Sequence, residues 1–266
     1  MLQLGKSLRQ IKNYKMLKPV LPNCFRWTWL KPQFGGLKMS YSTVTPQEIH
    51  LGQTELPDYI REPIQNVLNK HQLNSLSERI FMSLEYTLPR CKNQALLISL
   101  LTYKDLMESQ GLKAVDLRRA QILGWCVELL HMSLLIFDDI MDHGTLRYGQ
   151  LCWHKLEHIG MSGINDGLII ENIIYFVLHE YFGDKEYYVE LCNLMREVTL
   201  ITAYGQLMDL MVSQGSIALF TKEMFRDISD RKTALSAFYL PLALPMHLAG
   251  VKNPIAFKQT KKISLD

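Results

Sequence analysis

The stretch Leu134-Leu135-Ile136-Phe137-Asp138-Asp139-Ile140-Met141-Asp142 decides the fold, because three carboxylates close a long apolar run. On a helix, side chains at i and i+4 lie one above the other, so Asp138 and Asp142 share a face and Asp139 is turned aside. Two stacked carboxylates repel each other unless a cation lies between them. Mg²⁺ takes oxygen ligands and commonly joins one or two carboxylates to a phosphate of a substrate. The spacing therefore indicates a magnesium site with Asp138 and Asp142 as its ligands.

The same acids would be an ordinary solvated helix end if they stood alone. Here they follow an apolar run from Leu129 to Phe137, which places them at the mouth of a buried region. The basic residues Arg147 and Lys155 follow shortly afterwards and are suited to hold phosphate. Acids for Mg²⁺, bases for phosphate and an apolar wall below suggest a ligand with a diphosphate head and a hydrocarbon tail.

The overall composition is typical of a globular protein. The chain has 266 residues, of which 48% are hydrophobic, enough for one large domain or two small ones. No run approaches the roughly 18 apolar residues of a membrane span, so none is expected. Five scattered cysteines without a Cys-x-x-Cys pair predict reduced thiols rather than disulfides or a zinc site.

The first 40 residues form a basic leader. Residues 1–47 carry eight Lys or Arg and no Asp or Glu, although the net charge of the whole chain is only +3. This composition predicts a mitochondrial transit peptide over 1–40; without it, the chain is expected in the cytoplasm. A disordered basic arm, or sequence upstream of a start at Met39, would have the same composition. No nucleic-acid partner is expected, because nothing downstream resembles a nucleic-acid-binding domain.

From Thr45 onwards the pattern predicts helices and no strands. Thr45-Pro46-Gln47-Glu48 combines an N-cap, a proline at the first helical position and a capping-box Glu. Apolar residues keep helical spacing from Leu68 to Leu84 and from Ala95 to Met107. Asp116 is the expected N-cap of the long helix that ends in the acids. Further helices are predicted over 164–182, 186–213 and 221–249.

Two prolines interrupt the last of these helices. Pro241 and Pro245 lie inside the apolar stretch from Ala237 to Ala249. A proline inside a helix removes a backbone hydrogen bond and kinks the axis. The pattern fits a helix that stops at Tyr239 and equally a kinked apolar helix that lines a cavity.

Several segments of the chain resemble the motifs of one family and occur in the same order as in that family. They are Ile122-Leu123-Gly124-Trp125-Cys126-Val127-Glu128-Leu129-Leu130, the acidic stretch, Gly149-Gln150-Leu151-Cys152-Trp153, Gly205-Gln206-Leu207-Met208-Asp209-Leu210, and Arg231-Lys232-Thr233-Ala234 with Phe238-Tyr239-Leu240-Pro241. Over about Leu84 to Gly250 the chain resembles the farnesyl diphosphate synthases of the polyprenyl synthetase family.

This resemblance implies an all-α fold of the isoprenoid-synthase type, a bundle of long helices around an apolar cavity, that usually forms homodimers. It also implies Mg²⁺-assisted loss of diphosphate from an allylic isoprenyl diphosphate. The carbocation is then attacked by isopentenyl diphosphate or by a double bond of its own chain. We accordingly expect this helical domain over residues 41–250, followed by a polar, Lys-rich tail over 251–266.

The resemblance also implies three sets of site residues. The Mg²⁺ ligands are Asp138 and Asp142, with Asp139 in support. The residues that hold the allylic diphosphate are Arg147, Lys232 and Thr233. Those for the diphosphate of the second, homoallylic substrate are Lys92 and His131. The physical logic agrees, because diphosphate leaves only when metal and fixed basic side chains neutralise its growing charge.

Two basic residues of the family pattern are missing from the homoallylic site. The family's Gly-Lys-x-x-Arg element appears as Cys91-Lys92-Asn93-Gln94-Ala95, and its Arg-Arg pair appears as Arg147-Tyr148. Each charged hydrogen bond contributes roughly 1.5–3 kcal/mol. Their loss predicts weaker binding of isopentenyl diphosphate by about two to four decades. An enzyme that ionises one allylic diphosphate without coupling it to a second substrate, a terpene synthase, is the leading hypothesis.

Two further departures concern the cavity. One turn before Asp138, the family's bulky aromatic pair is replaced by Ser133 and Leu134, which predicts a deeper cavity floor unless Ser133 merely bonds to a helix carbonyl. The family's second aspartate-rich motif should follow Gly250, but the sequence runs from Val251 to Asp266 without it. The fold is therefore expected to be truncated at the C-terminus, with weak or no turnover.

Three functional hypotheses follow. The first is a sesquiterpene-type terpene synthase, a lyase derived from a farnesyl diphosphate synthase. The second is a farnesyl or geranyl diphosphate synthase, a prenyltransferase with a tolerant second site. The third is an inactive truncated subunit that partners a complete homologue.

Overall fold

The computed structural model describes residues 56–88, 93–112, 117–215 and 220–266, all of which belong to one compact unit. The leader, the Thr45 capping box, Lys92 and the Asp116 N-cap lie outside the described residues. The predictions of a transit peptide and of a mitochondrial or cytoplasmic location therefore stay predictions.

The described residues form an all-α protein, as predicted. Its α-helices are α1 (Asp58–Lys70), α2 (Ser77–Thr87), α3 (Gln94–Ser109), α4 (Arg118–Met141), α5 (Gly163–Phe182), α6 (Tyr188–Ser213), α7 (Lys222–Ser229), α8 (Leu240–Leu248) and α9 (Pro254–Leu265). Between α7 and α8, Asp230–Tyr239 continue the helical path as a π-helix. The prediction of no strands is wrong at one short hairpin, which is the only β-structure among the described residues. Its strands are β1 (Leu146–Arg147) and β2 (Gln150–Leu151), of two residues each.

Helix α4 is the centre of the bundle and ends in the acidic stretch. It is 24 residues long and buries residues on every side, including Trp125, Leu129 and Met132. A helix that is apolar all round belongs in a protein interior. Helix α3 packs on one side of it and α5 on another. Gly124 allows the close approach of α3, since a Cβ at this position would lie 2.7 Å from the Leu96 Cα.

The predicted helices are largely confirmed. Helices α3, α5 and α6 match the ranges predicted for them within a few residues. The prediction over Leu68 to Leu84 is wrong in one respect, because the chain turns between α1 and α2. Gln72 takes a left-handed φ of 56°, and Leu73 and Leu76 are 42% and 43% exposed. The apolar spacing of Leu73 and Leu76 is thus typical of a buried helical face, but in the structure both side chains are exposed in the turn between α1 and α2.

The two prolines of α8 neither stop nor disrupt the helical path. A π-helix joins each N–H to the carbonyl five residues earlier, and an α-helix to the one four residues earlier. Pro241 therefore leaves the Ser236 carbonyl free, and Pro245 leaves that of Pro241 free. His131 Nε2 lies 3.2 Å from Ser236 O, and Ser99 Oγ donates to Pro241 O at 3.1 Å. Side chains of α4 and α3 thus replace the two missing backbone donors.

The predicted polar tail contains a helix. Asn253 caps α9 by accepting a hydrogen bond from the Ile255 N–H at 2.9 Å, and Pro254 takes the first helical position. Phe257 of α9 stacks on His247 of α8 with ring centroids 4.5 Å apart. Lys261 lies over the ring of Tyr239, 5.6 Å from its centroid. These contacts join residues 254–265 to the rest of the bundle.

Helix α4 and the segment Gly160–Phe182 are long and apolar enough, by length and composition, to cross a membrane. In α4, 72% of the apolar window is buried inside the protein. The core helix of a globular bundle meets the same criterion, so the observation is weak evidence for a membrane span.

Candidate active site

The three predicted acids lie at the C-terminal end of helix α4 and differ in how far they are buried. Asp139 is buried, Asp138 is largely buried, and Asp142, at the C-cap, is exposed. The Asp142 N–H donates to the Asp138 carbonyl at 2.8 Å, which completes the last turn of the helix. The i, i+4 relation predicted for Asp138 and Asp142 is therefore present.

Arg147 reaches back over the end of α4 from strand β1. Its Nε and Nη2 donate to Asp139 Oδ1 at 2.9 and 2.6 Å, and its Nη2 also donates to Asp138 Oδ2 at 2.5 Å. The planar guanidinium thus holds both neighbouring carboxylates at once. The structure thus brings Arg147 to the predicted acids, and its role in holding the allylic diphosphate stays a prediction.

Lys232 approaches the same acids from the π-helix. Its Nζ lies 2.9 Å from Asp138 Oδ1 and 2.6 Å from Asp209 Oδ2. Asp209 lies on α6, so one ammonium group joins α4 to α6. Asp209 is a site residue that sequence analysis missed. The signal was present in the Gly205-Gln206-Leu207-Met208-Asp209 segment, which was recognised as a family motif without a role for its acid.

Gly205 explains how Lys232 comes so close. A Cβ at Gly205 would lie 2.2 Å from Lys232 N and 2.6 Å from Lys232 Cα, so the π-helix backbone rests directly on α6 at this point. Only glycine permits this approach. The wider turn of the π-helix is rare and is found mostly at functional sites. Together these features direct Lys232 towards Asp138 and Asp209.

The charges at the site stabilise one another. Burial alone would raise the pKa of Asp138, but the hydrogen bonds and positive charges of Lys232 and Arg147 outweigh it and hold the pKa below its ordinary value. Burial would likewise lower the pKa of Lys232, but Asp209 and Asp138 raise it above the ordinary lysine value. Asp138 and Lys232 therefore form a charged pair at neutral pH.

Asp142 shows that negative charge remains in excess. Its pKa is raised, first by partial burial and then by the nearby negative charges of Asp138 and Asp209, against which Lys232 and Arg147 compensate only in part. A further cation near these carboxylates would relieve the repulsion.

The donor set fits a hard divalent cation that is completed by a ligand. Within the part of the chain that is described, no three His, Cys, Asp or Glu side chains are arranged to hold an ion by themselves. Carboxylates at Asp138, Asp142 and Asp209 are nevertheless the oxygen donors that Mg²⁺ prefers, and Mg²⁺ often uses one or two carboxylates together with substrate phosphates. Residues and metal are thus compatible, and the metal role of Asp138 and Asp142 stays a prediction.

Comparison with known proteins identifies the family. The family model described as Polyprenyl synthetase matches residues 77–266, which is more than half of the chain. The chain belongs to the polyprenyl synthetase family. The resemblance drawn from its motifs is confirmed, and so is the all-α fold of the isoprenoid-synthase type.

Curated relatives within the polyprenyl synthetase family are farnesyl pyrophosphate synthases. That of Gallus gallus is 33% identical over 213 residues, covering 79% of this chain and 58% of its own length. That of Rattus norvegicus is 37% identical over 191 residues, with coverages of 71% and 54%. That of Murgantia histrionica is 31% identical over 231 residues, with coverages of 87% and 56%. The chain thus spans about half the length of these relatives.

His131, which the polyprenyl synthetase resemblance assigns to a homoallylic site, lies on α4 seven residues before Asp138. His131 is 23% exposed at its side chain, with Nδ1 3.9 Å from Glu128 Oε2 and Nε2 3.2 Å from Ser236 O. Glu128 is buried and accepts hydrogen bonds from the backbone N–H groups of Ala95, at 2.9 Å, and Leu96. The Glu128 carboxylate therefore lies at the start of α3.

The remaining residues of this comparison are placed as follows. Thr233 is exposed on the π-helix beside Lys232. Tyr148, which replaces the second arginine of the family pair, is 66% exposed at the hairpin tip. Ser133 is fully buried, and its Oγ has no hydrogen-bond partner among the described residues, so it does not bond to a helix carbonyl. The larger cavity floor proposed for this position stays a prediction.

Proposed function

We propose that this chain forms the allylic-substrate half of a prenyltransferase site, which binds an allylic isoprenyl diphosphate together with Mg²⁺. One observation carries the proposal. Arg147 and Lys232, from two separate elements, converge on Asp138 within hydrogen-bond distance. Paired acids and bases at one end of an apolar helix suit a metal diphosphate whose hydrocarbon extends along that helix.

The chain's own residues have distinct parts in this proposal. Asp138 and Asp142 would hold Mg²⁺, and Asp209 lies close enough to raise the pKa of Asp142. Bound Mg²⁺ would neutralise the charge that grows on the leaving diphosphate. Arg147 and Lys232 are fixed donors that bind the same phosphates through charged hydrogen bonds. Asp139, buried against Arg147, keeps the guanidinium oriented.

The apolar part of α4 would protect the reacting carbon. Residues in the turns before Asp138, among them Leu134, Leu135 and Ile136, are buried or half-buried. Such side chains exclude water, which would otherwise capture an allylic carbocation. The hydrocarbon chain would therefore lie on this side of the acids and the diphosphate on the other.

The identity of the relatives favours a transferase over the leading hypothesis of a terpene synthase. The three curated relatives described above are farnesyl pyrophosphate synthases. A lyase remains the second candidate for a specific reason. In the described residues, Ala95 and Tyr148 stand where the family pattern has arginines, and Glu128 faces the start of α3. These features weaken a second diphosphate site.

Incubation with geranyl diphosphate and Mg²⁺, with and without isopentenyl diphosphate, tests the proposal. A product lengthened by one isoprene unit supports the transferase. Hydrocarbon or alcohol formed without isopentenyl diphosphate supports the lyase instead. No product alone, but activity on adding a complete homologue that co-purifies with the chain, supports the partner-subunit hypothesis. The Asp138→Asn variant should abolish either product.

Calorimetry tests diphosphate binding apart from turnover. Inorganic diphosphate should bind the chain in the presence of Mg²⁺ and bind about ten-fold or more weakly without the metal. Lys232→Met should weaken binding by a similar factor. Lys261→Met is the matched control, because it removes an ion pair between Lys261 of α9 and Glu197 of α6 that lies outside the acidic site. Equal affinity for all three proteins would refute the proposal.

A homodimer is part of the same proposal. Helix α6 presents four apolar side chains at helical spacing, each between 53% and 67% exposed: Leu200, Tyr204, Leu207 and Met211. A continuous apolar stripe of this kind is typical of an interface. A second copy of the chain is the proposed occupant.

A further inference from the structure

The hairpin that carries Arg147 cannot hold its own shape. Strands β1 and β2 contain two residues each, and Tyr148 and Gly149 at the turn have left-handed φ values of 52° and 84°. Leu146 and Leu151 are 61% and 46% exposed, so the strands bury little apolar surface. An isolated two-stranded hairpin is at best marginally stable. Contacts from outside the hairpin must therefore fix the position of Arg147.

Helix α2 supplies the first of these contacts. The Tyr86 hydroxyl donates to the Leu151 carbonyl at 2.9 Å. The Tyr86 ring also packs on Trp153, with centroids 5.4 Å apart. The return strand of the hairpin is thus joined to α2 by a hydrogen bond and an aromatic contact.

Trp153 extends this attachment to α5. Its indole Nε1 donates to Asp166 Oδ2 at 2.8 Å, and both side chains are almost fully buried. Gly163, at the start of α5, permits the close packing, since a Cβ there would lie 3.2 Å from Trp153 Cδ1. Through Trp153, which lies six residues after Arg147, the hairpin is therefore anchored to the buried carboxylate of Asp166.

Arg79 of α2 completes the arrangement around Asp166. Its Nε and Nη2 donate to Asp166 Oδ1 and Oδ2 at 2.9 and 2.7 Å, a two-pronged geometry that fixes the carboxylate. Arg79 Nη2 also donates to Ser162 Oγ at 2.6 Å. With two oxygens held by arginine and one of them shared with the indole, the orientation of Asp166 determines that of Trp153.

We propose that Arg79, Asp166 and Trp153 form a clamp that positions Arg147 against the acids of α4. None of the three hydrogen-bonds to those acids or to Arg147, so they act through the hairpin as positioning residues. As far as it concerns diphosphate, the inference rests on the proposed function. The clamp itself is a property of the fold and can be tested separately.

Hydrogen exchange tests the clamp without any ligand. The reporter is the Cys152 amide, which donates to Thr145 O at 3.0 Å and closes the hairpin. Trp153→Phe keeps the aromatic packing and removes only the indole donor; Arg79→Gln removes the two-pronged contact. Each should speed exchange of this amide by about ten-fold, while amides in the middle of α4 exchange as before. The control variant Arg61→Gln breaks the ion pair between Arg61 of α1 and Glu85 of α2. It should change neither the exchange of the Cys152 amide nor that of the α4 amides.

Calorimetry with inorganic diphosphate and Mg²⁺ tests the consequence for the site. Trp153→Phe and Arg79→Gln should weaken binding about ten-fold. Arg79→Lys keeps the positive charge but not the two-pronged geometry, so it should recover only part of the lost affinity. In an Arg147→Gln background the same changes should have no further effect, because the clamp acts through Arg147.

The outcomes separate the two proposals. Unchanged Cys152 exchange in both clamp variants overturns the clamp, whatever happens to diphosphate. Faster exchange with losses of affinity that simply add to the Arg147→Gln loss overturns its action through Arg147. If the unmodified chain binds no diphosphate, the proposed function fails, and the exchange result still decides whether the hairpin is clamped.

Discussion

Lys232 shows how one side chain can organise a site at the scale of a residue. Its ammonium group lies between acids of α4 and α6 that would otherwise repel each other. It offsets part of their negative charge, and in the proposed function it also donates hydrogen bonds to phosphate when substrate and metal bind. The same group thereby contributes to both stability and binding.

Replacing Lys232 by Met should destabilise the metal-free protein by about 1–3 kcal/mol, because removing one partner leaves carboxylates partly buried and unpaired. Added Mg²⁺ should then raise the melting temperature of the variant more than that of the unmodified protein. Urea unfolding and thermal scans with and without Mg²⁺ measure both effects. An equal response of the two proteins to Mg²⁺ would show that metal and ammonium do not share these carboxylates.

Gly205→Ala should disturb the contact between α6 and the π-helix. The new methyl would lie 2.2 Å from Lys232 N, so backbone must move. Overpacking of this kind costs about 1–3 kcal/mol. We expect that loss in urea unfolding, together with weaker diphosphate binding. Gly215→Ala, whose methyl would meet only ordinary contacts at 3.5 Å and beyond, should unfold like the unmodified protein.

At the scale of elements, the path from α7 through the π-helix to α8 depends on its neighbours. Each of its two prolines removes a backbone donor, and a side chain of an adjacent helix takes its place. The π-helix in turn sets the direction of Lys232. The local irregularity and the site are therefore parts of one arrangement.

Ser99→Ala should leave the Pro241 carbonyl buried without its donor. We expect a loss of about 1–2 kcal/mol in urea unfolding, close to the cost of an unsatisfied buried acceptor. Ser109→Ala removes an exposed hydroxyl of the same helix that bonds to Leu106 O, and should change the stability by less than about 0.5 kcal/mol. Similar losses in the two variants would contradict the role given to Ser99.

The contact between α8 and α9 should respond to pH through His247. Burial lowers the pKa of this ring, which stacks on Phe257, although the charge of Glu190 opposes the shift. The folded protein thus binds the proton less tightly than the unfolded chain. Stability is therefore retained above the ordinary pKa of about 6.5 and declines as the pH falls from there towards the lowered value.

Unfolding measured from pH 5 to 8 checks this dependence. His247→Phe keeps the ring contact and should flatten the profile in that window. His158→Gln, at a residue 86% exposed at its side chain, should leave it unchanged. A profile that is the same with and without His247 would rule out the predicted linkage.

At the scale of the whole molecule, the exposed apolar stripe of α6 is the surface that the proposed dimer would cover. Leu207→Glu together with Met211→Glu should convert the proposed dimer to a monomer, because two buried charges would face each other across the interface. Light scattering after size-exclusion chromatography measures the mass. Leu73→Glu, at an exposed leucine in the turn before α2, is the control. A monomeric unmodified chain would contradict the dimer.

The local pattern of the sequence determined much of this protein. Helices α3 to α6 follow from apolar spacing, since a helix places every third or fourth side chain on one face. The stacking of Asp138 and Asp142 follows from the same geometry. The ordered motifs of the chain indicated the family. They also pointed to Arg147 and Lys232, without showing where either side chain lies.

Only the tertiary structure decided the partners of these residues. The pairing of Lys232 with Asp209, the π-helix on Gly205 and the contacts of Asp166 with Arg79 and Trp153 join positions 13 to 87 residues apart. No periodicity links such distant positions. They meet because packing of the apolar helices brings their backbones together, and buried charges must then find partners within a few ångströms. The sequence alone therefore shows which residues can carry charge, whereas the packing decides which of these charges meet at the site.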